Sequence, residues 1–331
     1  MKYLVSLVAL FSLFVGCTKK EQGPTIWIYA SFYNHVVQEY DAKLKAKFPN
    51  VNFRWYQSGS ENIAAKVNSE LLSGKTQADL ILTADLFWYE DLKAKGVLLK
   101  YPSPATSSLA PQFRDPEFAW AVSRVPAMVI AYHSDVYGDA QAPKSFSDLV
   151  QPQFKNKVAM GSPLESGTTF TTVAQLSRKL GWDFFKKLRA NGAISAGGNS
   201  AVMAKIETKE RPVGIVLLEN IIATRRKNPK IKWVFPKEGI VSVPSPIAIT
   251  STTSNPELAK QVYDYFFSKE GQEVLLKGDH HGIFADAPAP EGAPDLTKLL
   301  AISLPWNSTI LHEVHRERDN IKKQFTSIML E

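Results

Sequence analysis

From residue 25 onward, short apolar segments alternate with segments of helical periodicity, and this order constrains the fold more than any other feature. Thr25–Ala30 (TIWIYA) reads as a strand. Val36–Phe48 follows with apolar side chains at 37, 40, 44 and 48, one face of a helix. Val51, Phe53 and Trp55 alternate with polar residues as a second strand. Ile63–Leu72 is helical, Ala78–Thr83 (ADLILT) is a third, buried strand, and Leu86–Lys95 is a helix stopped by Gly96. Strand and helix in alternation predict an α/β chain with a doubly wound, mostly parallel sheet. A second unit of the same kind continues the pattern. Its strands are Ala127–Tyr132, Lys157–Met160, Val213–Leu218 and Lys232–Phe235, and its helices are Ser145–Val150, Thr168–Leu180, Trp182–Ala190, Ser200–Glu207 and Asn220–Arg226. Ser242–Thr250 is an extended stretch interrupted by two prolines. Helices follow at 256–267 and 269–277, with a last one around 313–329 carrying Val314, Ile321, Phe325 and Ile328 on one face. The Pro-Ala-Pro-rich stretch 286–294 is a surface connector. With 331 residues the chain exceeds what one core usually organises, so two domains are expected.

The N-terminus predicts export. Lys2 precedes an apolar run from Leu4 to Val15, too short to cross a bilayer as a mature helix but suited to a secretory leader. The run ends in Phe14-Val15-Gly16-Cys17, which resembles a bacterial lipobox with Phe14 in place of the usual Leu. Residues 1–16 are then a lipoprotein signal peptide, Cys17 the lipidated residue, and 17–24 a polar tether. The expected location is the periplasm, on a membrane held through the lipid. Cys17 is the only cysteine in the chain, which excludes a disulfide framework and a cysteine-based zinc site. Composition (44% hydrophobic, 21% charged) argues against a disordered, collagenous or multi-span membrane chain. The net charge of +7 permits an anionic partner without establishing one.

Open α/β sheets bind ligands beyond the carboxyl ends of their strands, at helix N-termini. That rule selects Ser31, Phe32 and His35 after the first strand, Ser58-Gly59-Ser60 after the second and Asp85 after the third. In the second unit it selects Ser166-Gly167-Thr168-Thr169, Asn199-Ser200 behind Gly197-Gly198, and Glu219. Glycine lets a backbone approach a ligand closely, and free N–H groups at the start of a helix suit phosphate, phosphonate or carboxylate. Arg124 and His35 offer charge-assisted contacts and Trp88 a stacking surface. Glu219 and Asp85 are placed to accept from a ligand hydroxyl or amine, although Asp85 reads equally well as the N-cap of the helix starting at Leu86. No GxSxG, GxGxxG, P-loop or HExxH motif occurs, so neither an enzyme nor a cofactor is expected. His312 with His315, and His280 with His281, read better as helix surface and loop than as metal ligands. Arg225-Arg226-Lys227 ends a helix without interleaved aromatics, which argues against nucleic acid.

The opening TIWIYASFYNHVVQEY, the segment ADLILTADLFWYEDLKAKGVL, VPAMVIAYHSD, SPLESGTTFTTVAQL, GGNSAVMAKI and VGIVLLEN, in this order, resemble the substrate-binding proteins of bacterial ABC importers. The nearest branch is the ferric-iron-like group of the type II periplasmic binding fold. The resemblance implies a two-lobed, Venus-flytrap monomer with two interlobe crossovers. Lobe I is expected over 25–123 plus 247–331 and lobe II over 124–246. A ligand held between the lobes is delivered to a permease in the inner membrane. Iron-binding members carry adjacent tyrosines where this chain has Glu219-Asn220-Ile221, so the resemblance points to the relatives that take sugar phosphates or phosphonates. It implies an anion shell of Ser58, Gly59, Ser60, Ser166, Gly167, Thr168, Thr169, Asn199 and Ser200. The alternatives are a ferric-chelate or polyamine binder of the same fold, and a ligand-sensing co-receptor.

Overall fold

The structure is a computed structural model that describes residues 23–331. The expected leader and Cys17 lie outside the described residues. Along the chain the elements are β1 (Thr25–Ala30), α1 (Asn34–Lys47), β2 (Asn52–Gln57), α2 (Ser60–Leu72), β3 (Leu80–Leu82), α3 (Leu86–Ala94), β4 (Ala121–Arg124) and β5 (Ala127–His133). Next come β6 (Val158–Met160), α4 (Gly167–Leu180), α5 (Trp182–Ala190), β7 (Ile194–Ser195), α6 (Asn199–Glu207), β8 (Val213–Leu217), α7 (Leu218–Arg225) and β9 (Ile231–Val234). The chain closes with β10 (Val241–Ser242), β11 (Ser245–Ile249), α8 (Pro256–Phe267), α9 (Lys269–Lys277), α10 (Leu296–Ala301) and α11 (Ser308–Met329).

Two sheets result. The first has the order β2-β1-β3-β11-β4. Its strands β1, β2 and β3 are parallel, and β11 runs against β3 and β4. The second has the order β10-β5-β8-β6-β7, with β9 also on β5. Here β6 is parallel to β7 and β8, while β5 is antiparallel to β8, β9 and β10. The second sheet is thus more mixed than strand–helix alternation suggests. The reason is that β5 enters straight from the first sheet instead of returning through a crossover helix, so nothing obliges it to run with its neighbours.

The chain passes between the sheets twice, each time through a Val-Pro pair: Val125-Pro126 between β4 and β5, and Val243-Pro244 between β10 and β11. Val243 N–H donates to the Pro126 carbonyl at 2.8 Å, which ties the two crossovers together. Each proline fixes its φ and withdraws a donor, so the strand ladder stops there. Pro246 inside β11 sits at a register shift between Ser245 and Pro246, where the missing N–H is tolerated.

Apolar strands bury both faces. Ile26, Ile28, Leu80, Ile81, Ile247 and Ile249 in the first sheet, and Val129, Ile130, Ile215 and Val216 in the second, are almost wholly inaccessible. Helix α1 buries Val36, Val37, Tyr40 and Leu44, the expected stripe. Helix α11 starts at Ser308, five residues before the apolar periodicity suggests, because the Asn307 side chain accepts from Ile310 N–H at 2.9 Å and caps it. It lies across both halves, packing on α3 beside the first sheet and on α4 and α5 beside the second. Phe325 meets Phe185 with ring centroids 5.5 Å apart. Among the described residues no helix is long and apolar enough to cross a membrane.

Candidate functional site

The loops selected at the strand ends converge on a cleft of about 160 Å³ between the two sheets. From the first half come Ser31 and Phe32 after β1, and Ser58, Gly59 and Ser60 where β2 runs into α2. From the second come Ser166 and Thr168 opening α4, Asn199 and Ser200 opening α6, and Glu219 opening α7. Arg124, the last residue of β4, reaches the same cavity. Three helices, α2, α4 and α6, therefore aim their N-termini at one space. The first N–H groups of a helix have no carbonyl within it to receive them, and the summed peptide dipoles favour negative charge there.

Side chains hold these termini in place. Ser166 Oγ accepts from Thr169 N–H at 3.3 Å and lies 2.9 Å from Thr168 Oγ1. Asn199 Nδ2 donates to Thr168 Oγ1 at 2.9 Å, which joins α6 to α4. Ser60 Oγ accepts from Ala84 N–H at 3.1 Å, which joins α2 to the end of β3. The halves meet at two glycines. A Cβ on Gly59 would stand 2.8 Å from the Glu165 carbonyl oxygen, and one on Gly167 would stand 2.9 Å from that of Ala84. Tyr33 from the first half also donates its O–H to Asn220 Oδ1 of the second at 2.8 Å.

The floor of the cleft is charged. Arg124 Nη1 is 3.3 Å from His280 Nδ1 and 3.7 Å from Glu219 Oε1, and His280 Nδ1 is 3.3 Å from the same carboxylate oxygen. All three side chains are buried. Burial, then the charge of Arg124, pushes the His280 imidazole below its ordinary pKa, so it is neutral at pH 7. Burial alone would raise the Glu219 carboxyl, but His280 and Arg124 outweigh it and hold Glu219 below the usual carboxylate range. Burial lowers the Arg124 pKa, yet a guanidinium remains charged. Its Cζ lies 4.7 Å from the centroid of the Phe32 ring.

Four cleft-lining residues each carry a buried polar atom without a hydrogen bond: Ser31 Oγ, Asn199 Oδ1, His280 Nε2 and Glu219 Oε1, the last met only by the ion-pair contacts of Arg124 and His280. A buried unpaired polar atom costs about 1–3 kcal/mol, and four of them gather on this one lining.

Five residues selected from the sequence sit elsewhere. Asp85 is buried as the N-cap of α3, accepting from Trp88 N–H at 3.3 Å, and its other oxygen takes Arg318 of α11. Trp88 is buried in the core with its Nε1 unpaired. Gly167 packs on Ala84, and Thr169 is buried with its Oγ1 turned toward Gly161. His35 is exposed and stacks on Tyr33, with ring centroids 6.1 Å apart. In their place the cleft takes Tyr33, Gln57, Ala84, Glu165, Gly198, Leu217 and His280. Most of these lie inside or beside the selected loops. His280 does not, since it follows α9, and its pairing with His281 in the sequence points to a loop and not to the strand-end site.

Among the described residues no group of three or more His, Cys, Asp or Glu is arranged to hold a metal ion. His315 pairs with Asp91 at 2.7 Å, and His281 Nε2 lies 2.8 Å from the Pro294 carbonyl oxygen.

A family model described as bacterial extracellular solute-binding protein matches residues 75–303. A putative 2-aminoethylphosphonate-binding periplasmic protein of Salmonella paratyphi A is 22% identical over 283 residues, covering 81% of this chain and 80% of its own. Among solved structures, the periplasmic binding protein AfuA from Actinobacillus pleuropneumoniae, with fructose-6-phosphate bound, gives a TM-score of 0.83 at 23% identity. The match covers 93% of this chain and 99% of that one. Iron-bound HitA from Pseudomonas aeruginosa gives 0.79 at 18% identity, over 91% and 99%. At these identities the structural likenesses establish the two-lobed periplasmic binding fold and leave the ligand to the site.

Proposed function

The chain belongs to the bacterial extracellular solute-binding proteins, and on that premise we propose that it is the periplasmic binding component of an ABC importer for a small organic phosphate or phosphonate. Members of this family are substrate-binding transport proteins and not enzymes. The observation that carries the ligand reading is the meeting of three helix N-termini and the buried Arg124 on one cleft whose lining leaves four polar atoms unpaired. The N–H groups and the guanidinium suit a phosphoryl or phosphonyl head. Glu219 Oε1 and Asn199 Oδ1 accept hydrogen bonds only, so they favour a ligand that also carries a hydroxyl or an ammonium group. The putative 2-aminoethylphosphonate-binding relative and the fructose-6-phosphate-bound neighbour support this reading.

Iron held by tyrosinate fits the cleft less well. Among the described residues the one tyrosine that lines it is Tyr33, and its O–H is engaged with Asn220 Oδ1. A polyamine calls for several free carboxylates, whereas the lining carries two, Glu219 and Glu165, and Glu165 Oε1 already accepts from Gly197 N–H at 3.0 Å. We further propose that the two sheets are the cores of two lobes hinged at Val125-Pro126 and Val243-Pro244, which a ligand draws together. Lipidation at Cys17 would hold the protein at a membrane beside its permease.

A thermal-shift panel of 2-aminoethylphosphonate, sugar phosphates, inorganic phosphate, spermidine and ferric citrate tests the assignment. A ligand at 100 times its Kd adds about 2.7 kcal/mol of stability. A shift with organic phosphates or phosphonates is expected. A shift with ferric citrate or spermidine alone overturns the reading.

A further inference from the structure

A second cavity, of about 300 Å³, adjoins the first and is lined by Tyr33, Asn34, His35, Ser200, Glu219, Asn220, Ala223 and Gly278. Tyr33, Ser200 and Glu219 line both cavities, so they form the wall between an inner chamber, which holds Arg124 and the helix N-termini, and an outer one. Sites for drug-sized molecules run from roughly 300 to 1,000 Å³, and the inner chamber falls below that range.

Two observations make Tyr33 the movable part of this wall. It is the N-cap of α1, its carbonyl accepting from Val36 and Val37 N–H, while its side chain is half-buried and stacked on the exposed His35. Its hydroxyl holds the opposite half, donating to Asn220 Oδ1 at 2.8 Å and also in hydrogen-bond contact with Ser200, and Asn220 lines only the outer chamber. Its phenol, raised to about 12, stays a donor at any physiological pH and keeps that bond. The Tyr33 backbone is fixed as the N-cap of α1, so it is the ring that can turn, whereas the Glu219 side chain is pinned by Arg124 and His280.

We propose that Tyr33 is the specificity-determining residue of the cleft: tethered to Asn220, it confines the ligand to the inner chamber and selects compact phosphonates or phosphate esters with two- or three-carbon tails over hexose phosphates. This inference rests on the organic phosphate or phosphonate reading of the cleft. A long ligand binds only by displacing the Tyr33 ring from between the chambers and losing its bond to Asn220. A short one leaves both in place. The outer chamber, with Asn34, His35 and Asn220 on its walls, is polar enough to take sugar hydroxyls once the ring is gone.

Isothermal titration with 2-aminoethylphosphonate and with fructose 6-phosphate tests this, read as the ratio of their dissociation constants. The native protein is expected to favour 2-aminoethylphosphonate at least tenfold. Tyr33→Ala should move the ratio toward the hexose phosphate by tenfold or more. Asn220→Ala removes only the tether and should move it in the same direction by less. Adding Ala223→Phe to Tyr33→Ala refills the outer chamber and should restore the native ratio. An unchanged ratio in both Tyr33→Ala and Asn220→Ala overturns the inference, as does a native protein that binds fructose 6-phosphate equally or better, and both results leave the phosphate reading intact. Binding of neither ligand by any variant overturns the phosphate reading and this inference with it. Melting curves identify folded variants, and Asn220→Ala keeps the test decisive if Tyr33→Ala is unstable.

Discussion

Gly167→Ala separates closure from folding. Gly167 is the first residue of α4, and an added Cβ would stand 2.9 Å from the Ala84 carbonyl oxygen and 3.0 Å from both the Ala84 carbonyl carbon and Asp85 Cβ. Comfortable carbon contacts lie near 3.5–4.0 Å, so the halves must part by several tenths of an ångström. Ala84 cannot yield easily, because its N–H is bound to Ser60 Oγ and the next residue, Asp85, is held by Arg318. Overpacking of this kind costs about 1–3 kcal/mol, and the cost falls on the closed form alone when the lobes hinge. Affinity for the ligand should therefore drop by about 5- to 150-fold. Opening that carries Gly167 away from Ala84 and Asp85 would relieve this clash, and a helix favours alanine over glycine. The ligand-free protein should melt at the native temperature or slightly above. Titration calorimetry with 2-aminoethylphosphonate and melting of the free protein supply the two numbers. If the free protein loses stability in step with affinity, the two halves form one rigid body and the hinge is refuted. If affinity is unchanged, the contact between Gly167 and Ala84 is not part of the bound state.

Other perturbations follow from the same geometry. Arg124→Met leaves the buried Glu219 carboxylate without its cation, so both ligand affinity and stability should fall, the latter by about 3–5 kcal/mol in chemical denaturation. The double variant with Glu219→Gln should regain most of the stability but not the binding. His280, His281 and His133 all have pKa values depressed first by burial. Below the unfolded histidine value of about 6.5 the unfolded chain therefore takes up protons that the folded one refuses, and stability should decline as pH falls from 7 toward 5. His280→Gln should flatten part of that decline in melts across the range, and an equal slope in the variant contradicts the assignment. Arg318 pairs with Asp85 and Glu61. Its own pKa is raised despite burial because of those two carboxylates, while burial and Asp85 raise the pKa of Glu61. Arg318→Ala should destabilise the fold by about 3–5 kcal/mol, with Asp85→Asn recovering part of the loss in urea titrations.

Much of this arrangement was legible in the residues. The loops opening α2, α4 and α6 announced themselves because small hydroxyl residues and glycine at a strand end serve both the helix cap and a ligand, and both uses leave the same local pattern. Arg124 was legible only as a cation available for a charge-assisted contact, since the four-residue strand β4 that it closes is too short to show a period. What local pattern cannot carry is the partner a side chain finds across the fold. Asp85 and Trp88 follow a strand as a ligand residue would, yet Arg318, 233 residues away, claims the carboxylate, and packing claims the indole. His280 is the converse case. It reads with His281 as part of a loop, and only the chain's return beside β4, where Gly282 bridges to Arg124, brings it against Glu219. The mixed second sheet was hidden for a related reason, since a two-residue crossover between sheets leaves no periodicity to read.

The central claim is that the cleft holds a phosphoryl or phosphonyl group. The most direct test is a crystal structure of the protein grown with 2-aminoethylphosphonate. The account predicts the phosphonate between the N-termini of α2, α4 and α6, within hydrogen-bond distance of Arg124, and the amine toward Glu219. A phosphonate bound outside this cleft, or a cleft that takes up ferric citrate in competition and excludes the phosphonate, would contradict it.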